Sequence, residues 1–147
     1  MITLYTIGFT KKSAERFFGL LKDNHVQQLV DVRINNSSQL AGFAKGKDLA
    51  FFVRGLCHIP YRHITDFAPS KELLEQWHKE EVTWTEYEEV YTKMLHERHI
   101  LQKYDIQSFD GACFLCSEET PEHCHRRLLA EYLQKHSMDK VAIIHLK

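Results

Sequence analysis

Gln28-Leu29-Val30-Asp31-Val32-Arg33 sets Leu29, Val30 and Val32 in a nearly continuous apolar run. A strand with one wet face alternates apolar and polar residues, whereas a strand covered on both faces of a parallel sheet does not. The run therefore predicts an interior strand of a parallel sheet, with a helix on each side. Upstream, Ile2 to Ile7 is rich in β-branched and aromatic residues and stops at Gly8, which predicts a buried first strand and a tight turn. Between the two strands, Ala14, Phe17, Phe18 and Leu21 recur at helical spacing from Lys11 to Asn24, with Thr10 as the expected cap.

Downstream, Ile34 to Gly46 carries Asn-Asn-Ser-Ser and two glycines and is expected to be a long loop over the strand ends. Lys47 to Leu56 is expected to be helical, and Ile59-Pro60-Tyr61 extended, because proline disfavours helix for itself and for the residue before it. Helices resume at Ser70 and at Thr83, where Thr83-Trp84-Thr85-Glu86 has capping-box spacing. Tyr87, Val90, Tyr91, Met94, Leu95, Arg98 and Leu101 then trace one face over four or five turns. Gly111 to Ser117 is a strand by composition, and Thr120 and Pro121 are expected to cap and start a helix to His136. Val141-Ala142-Ile143-Ile144 is the last strand. Alternating strands and helices predict one α/β domain over residues 1–147, a mostly parallel sheet of about five strands with helices on both faces.

The chain's 147 residues, 44% hydrophobic and 27% charged, are those of an ordinary globular domain, with enough apolar surface to close a core without disulfides or a structural metal. A net charge of -1 gives no bulk attraction to phosphate backbones or anionic membranes. No apolar run approaches the ~20 residues that span a bilayer. Met1-Ile2-Thr3-Leu4-Tyr5 leads into a strand with no basic leader or apolar signal core, so the expected location is the cytoplasm, with no membrane partner. There, Cys57, Cys113, Cys116 and Cys124 are expected to be thiols, ligands or catalysts rather than bridges.

In open α/β sheets ligands bind at the carboxyl ends of the strands, which selects Gly8-Phe9-Thr10, Asp31-Val32-Arg33, Tyr61-Arg62-His63 and Cys116-Ser117-Glu118. Asp31, inside an apolar run, costs several kcal/mol of desolvation unless a cation or several donors meet it. Two-residue periodicity turns Asp31 and Arg33 to one face, either as a structural ion pair or as part of a ligand pocket. Cys113-Phe114-Leu115-Cys116 has the outline of a metal-binding Cys-x-x-Cys that Cys124 and His125 would complete. On a strand, however, residues three apart face opposite sides, so core packing is the simpler reading of Cys113. The same alternation groups Cys116 with Glu118, at a strand end where a helix start and nearby arginines lower a thiol pKa. Arg126 and Arg127 oppose the dipole of the helix they open and so ask for partners, either Glu118, Glu119 and Glu122 or an anionic ligand. A phosphatase-like cradle fails on spacing, because position 122 is Glu and the loop has no glycine.

Thr6-Ile7-Gly8-Phe9-Thr10, Val30-Asp31-Val32-Arg33, Tyr61-Arg62-His63 and Cys116-Ser117-Glu118 with Cys124-His125-Arg126 together resemble the domain of unknown function 488 family, over nearly the whole chain. The resemblance implies a small α/β fold and a shared pocket, but no established reaction. Phe9-Thr10 stands where the family pattern has His-Ser, so any role of that His is dispensable or altered here. Asn35-Asn36 stands near the family's usual Pro.

The leading expectation is an enzyme, or a remnant of one, acting on a small anionic or nucleotide-like molecule. Its candidate catalytic residues are Cys116, Glu118, His125 and His63; its candidate binding residues are Asp31, Arg33, Thr10, Cys124, Arg126 and Arg127. One rival is a nucleic-acid or ligand-binding module using Lys11, Lys12, Lys45, Lys47, Arg54 and Arg62. The other is a zinc-stabilised structural domain. Cofactor and oligomeric state are left open by the sequence, and no metal is assigned.

Overall fold

The computed structural model describes residues 1–37 and 42–147. Its strands are β1 (Ile2–Gly8), β2 (Gln28–Asp31), β3 (Tyr61–His63), β4 (Ala112–Cys116) and β5 (Val141–Leu146). They form one sheet in the order β3-β2-β4-β1-β5, and every neighbouring pair is parallel. The apolar run that predicts an interior strand is β2, paired on both edges.

Helices cover both faces, as the double-sided burial of β2 and β4 requires. Ile7, Leu29, Cys113 and Leu115 face α1 (Ala14–Asp23) and α2 (Gly46–Phe52), packing with Phe17, Phe18, Leu21 and Leu49. Leu4, Val30, Phe114 and Cys116 face the opposite layer. That layer comprises α3 (Lys71–His78), α4 (Trp84–Glu97), the short α5 (Ile100–Lys103) and α6 (His125–His136). Each fully buried Leu or Phe contributes about 1.5–3 kcal/mol relative to exposure. The two apolar layers are therefore the main support of the sheet. Among the described residues no helix is long and apolar enough to cross a membrane.

Several boundaries differ from the sequence reading. α1 is capped by Ser13, whose hydroxyl accepts from the Arg16 amide at 3.1 Å, and Thr10 is instead drawn to the Ser117 carbonyl. β2 ends at Asp31, so Val32 and Arg33 already belong to the connection. The expected 34–46 loop contains a 3-10 turn at Gly42–Ala44, and part of it, residues 38–41, lies outside the described residues. The helix expected to run to Leu56 widens into a π-helical turn at Val53–Cys57 and closes on a left-handed His58.

The capping box at Thr83 is present, with reciprocal bonds of 2.9 and 3.1 Å to Glu86. The face drawn from Tyr87 to Leu101, however, is interrupted by a left-handed His99, which buries Ile100 and leaves Leu101 exposed. α6 begins at His125, not Pro121, because Cys124 is extended. The Arg127 guanidinium donates to the carbonyls of Pro121 and Glu122 at 3.3 and 2.9 Å, and the Pro121 carbonyl also accepts the Cys124 amide in a turn at 3.3 Å.

Candidate functional site

A cavity of about 240 Å³ opens at the carboxyl ends of β2 and β4, beneath α3, α4 and the start of α6. Of the residues singled out from the sequence, Arg33, Cys116, Glu118, Cys124 and His125 line it. Their arrival follows from chain geometry. Cys116 is the last residue of β4 and faces the α6 side by strand alternation, while Cys124 and His125 are the cap and first residue of α6.

Cys116 Sγ and His125 Nδ1 lie 3.6 Å apart. On the far side of the ring, His125 Nε2 lies 2.7 Å from the Val32 carbonyl. A carbonyl only accepts, so Nε2 carries a proton and the lone pair of a neutral ring is at Nδ1, facing the sulfur. Both residues are buried, yet both border the cavity. A hydrogen bond from the Cys124 thiol, with the charges of His125 and Arg126, outweighs burial and holds the Cys116 thiol well below its ordinary value. Burial alone would push His125 down, but the facing Cys116 sulfur and the Val32 carbonyl raise it. Cys124 goes the other way, pushed well up by burial and by Cys116.

Arg126 is fully buried, and its Nη1 donates to the Glu118 backbone carbonyl at 2.8 Å. Its Nε and Nη2 have no partner among the described residues. The carboxylates of Glu118, Glu119 and Glu122, candidate partners on sequence grounds, form no ion pair with it among the described residues. Gly8 makes this junction, since a Cβ there would sit 1.6 Å from the Glu118 oxygen and 3.0 Å from Arg126 Nη1. Only a residue without a side chain lets the end of β1 come so close to the loop after β4.

Asp31 and Arg33 form a buried, bidentate pair, with Nε to Oδ1 at 2.8 Å and Nη2 to Oδ2 at 2.7 Å. Tyr61 donates its hydroxyl to Asp31 Oδ2 at 2.5 Å, and Arg33 Nη2 also reaches the Ala44 carbonyl at 2.8 Å. Asp31 is on the face away from Cys116 and does not line the cavity, whereas Arg33, past the strand end, does. Among the described residues Arg33 Nη1 lacks a partner. The ring of Phe9 lies 5.3 Å from the Arg33 guanidinium carbon, a cation–π contact that helps hold it.

The remaining candidates lie outside the cavity lining. His63 Nε2 contacts the Arg33 carbonyl at 2.7 Å, and Thr10 donates through its hydroxyl to the Ser117 carbonyl at 2.5 Å. Arg127 pairs with Glu131 at 3.0 Å. Among the cations of the nucleic-acid rival, Lys11 pairs with Glu119 at 3.5 Å and Arg62 lies over Phe109.

Sequence reasoning missed the opposite wall, formed by Leu74, Trp77 and His78 of α3, Tyr87 of α4 and His123. His123 packs against Trp77 and Trp84 with ring centroids 5.8 and 4.9 Å apart. Position within Cys116–Cys124 was the one signal for His123; nothing local marks Trp77.

Cys116, Cys124 and His125 offer three soft ligand atoms within 4.8 Å of one another, the one such group among the described residues. Cys113 is not in it, because it packs in the other core layer, where burial pushes its thiol up. Strand alternation thus keeps Cys113 out of the four-ligand zinc set weighed from the sequence. No curated protein matches the chain, and no solved structure does. Residues 13–133 match the model of the domain of unknown function DUF488, so this 147-residue chain belongs to that family.

Proposed function

We propose that this protein is an enzyme acting on a small anionic molecule, with Cys116 as the nucleophile and His125 as the group that takes and returns its proton. The observation that carries the reading is the 3.6 Å contact of Cys116 Sγ with His125 Nδ1, on a ring fixed from behind by the Val32 carbonyl. A nucleophile, a base within reach and a third group orienting the base make up the usual arrangement for covalent catalysis. Charge supports it. Arg126 is a buried cation with two unpaired nitrogens, and an uncompensated buried charge is costly. The Cys116 thiolate is the anion at hand to offset it.

Arg33, which lines the cavity, supplies the attraction for an acid, with Asp31 fixing its Nε and Nη2. The cavity falls below the ~300–1,000 Å³ typical of drug-sized sites, which favours a small acid over a dinucleotide. Trp77, Tyr87 and His123 would cover its apolar part.

The test is selective alkylation followed by mass spectrometry. Cys57 is the most exposed of the four thiols, but burial raises its pKa. Limiting iodoacetamide at neutral pH is expected to label Cys116 first. Labelling of Cys57 ahead of Cys116 would remove the nucleophile from the proposal.

A further inference from the structure

The three atoms around Cys116 have the spacing of a metal site as well as that of a nucleophile and its base. Zinc holds sulfur at about 2.3 Å and imidazole nitrogen at about 2.0–2.1 Å, which at a tetrahedral angle separates the two ligand atoms by about 3.6 Å. Cys116 Sγ and His125 Nδ1 are 3.6 Å apart, and the Cys124 sulfur completes a trio within 4.8 Å. The outer contact fits too. A metal-bound imidazole usually donates its second N–H to a carbonyl or carboxylate, which orients the ring, and His125 Nε2 meets the Val32 carbonyl at 2.7 Å. Cys113 being on the other side of the sheet, the described residues supply three ligands, and the fourth position falls to the cavity. Structural zinc sites are closed by four protein ligands; three ligands beside a cavity make an open site that exchanges with solvent.

We infer that Cys116, Cys124 and His125 bind a thiophilic divalent cation of the zinc class, and that the bound ion switches off the thiol chemistry. The metal site stands on the ligand geometry alone, while the inhibition rests on the nucleophile reading above. The reason is electron-pair accounting. The sulfur lone pair that attacks an electrophile is the pair donated to the ion, and the Nδ1 lone pair that accepts the proton is donated to it as well. Cys124, a thiol in the free protein, and Cys116 bind the ion as thiolates, so their protons pass to solvent on binding, and removal of the ion with reprotonation restores the groups.

The experiment uses the full chain, stripped of metal with a chelator and titrated with Co²⁺ and then Zn²⁺. One equivalent of Co²⁺ is expected to give thiolate-to-metal charge-transfer absorption and the visible bands of a tetrahedral site, which Zn²⁺ then displaces. Cys124→Ser is expected to weaken binding at least tenfold and Cys113→Ser to leave it unchanged. Bound Zn²⁺ is expected to slow alkylation of Cys116 at least tenfold, with recovery on adding chelator. Absence of stoichiometric Co²⁺ binding to the unmodified chain overturns the metal site without reference to any variant's folding. Binding that Cys124→Ser leaves intact overturns it equally. Alkylation of Cys116 undiminished by bound Zn²⁺ overturns the inhibition. Slow alkylation of Cys116 in the metal-free protein would sink the nucleophile reading and, with it, the inhibition, leaving the ion site standing.

Discussion

His125 Nε2 donates to the Val32 carbonyl at 2.7 Å, which ties the first residue of α6 to the chain just beyond β2. The bond joins segments 93 residues apart and leaves Nδ1 as the only ring atom free to serve Cys116.

Replacing His125 with Asn removes both the proton acceptor and the positive neighbour of the thiol. An ordinary thiol with a pKa near 8.5 is only a few per cent thiolate at pH 7, so alkylation of Cys116 there should slow more than about tenfold. The pH profile of the reaction should also move upward. A merely structural role for His125 predicts lost stability with an unmoved profile.

Asp31→Ala leaves the Arg33 side chain, 5% exposed, without its carboxylate. Breaking a buried pair by removing one partner typically costs about 3–5 kcal/mol. Urea denaturation should show a loss of that size with an unchanged slope. A loss below about 1 kcal/mol would mean that water reaches Arg33 and that the pair is not sealed.

Glycine to alanine should have opposite signs at two positions. At Gly8 the new Cβ collides with the Glu118 carbonyl, a backbone atom that yields only if the loop moves, and overpacking of this kind costs about 1–3 kcal/mol or more. At Gly19, inside α1, nothing lies within 4 Å, and alanine should stabilise the helix by about 0.5–1 kcal/mol. Thermal melts of the two variants should move in opposite directions. Equal shifts would contradict the close approach at Gly8.

His145 pairs with Thr6 across β1 and β5, its Nδ1 2.6 Å from the hydroxyl. Burial first, then the charge of Arg126, lowers its pKa from the ordinary value of 6.5. As pH falls through that value the unfolded chain takes up more protons than the folded one. The contribution of His145 is therefore full above pH 6.5 and is lost as pH falls toward the folded pKa. Between about pH 7.5 and about pH 5.5 the parent protein should lose more stability than His145→Asn. Identical losses would place the pH dependence on other histidines.

Local pattern made the architecture legible. Continuous apolar strands, amphipathic helices and the Thr83 box depend on neighbours in sequence, and the parallel five-stranded sheet with helices on two faces follows from them. Boundaries that depended on distant partners were not legible. The start of α6 was not legible because the segment from Pro121 closes as a turn, its Pro121 carbonyl shared by the Cys124 amide and the Arg127 guanidinium, and Cys124 is extended. Thr10 resembles a cap until the strand-end loop after β4 supplies the Ser117 carbonyl for its hydroxyl.

By itself the sequence determined the fold class and the separation of Cys113 from Cys116, because a strand's period of two is set by backbone geometry alone. Tertiary structure alone decided which strand-end residues share a cavity. It put Asp31 on the face away from Cys116, brought the Trp77 wall from α3, and left Arg126 buried without a carboxylate. The physical reason is that burial and charge pairing are settled between segments far apart along the chain, a relation no local pattern encodes.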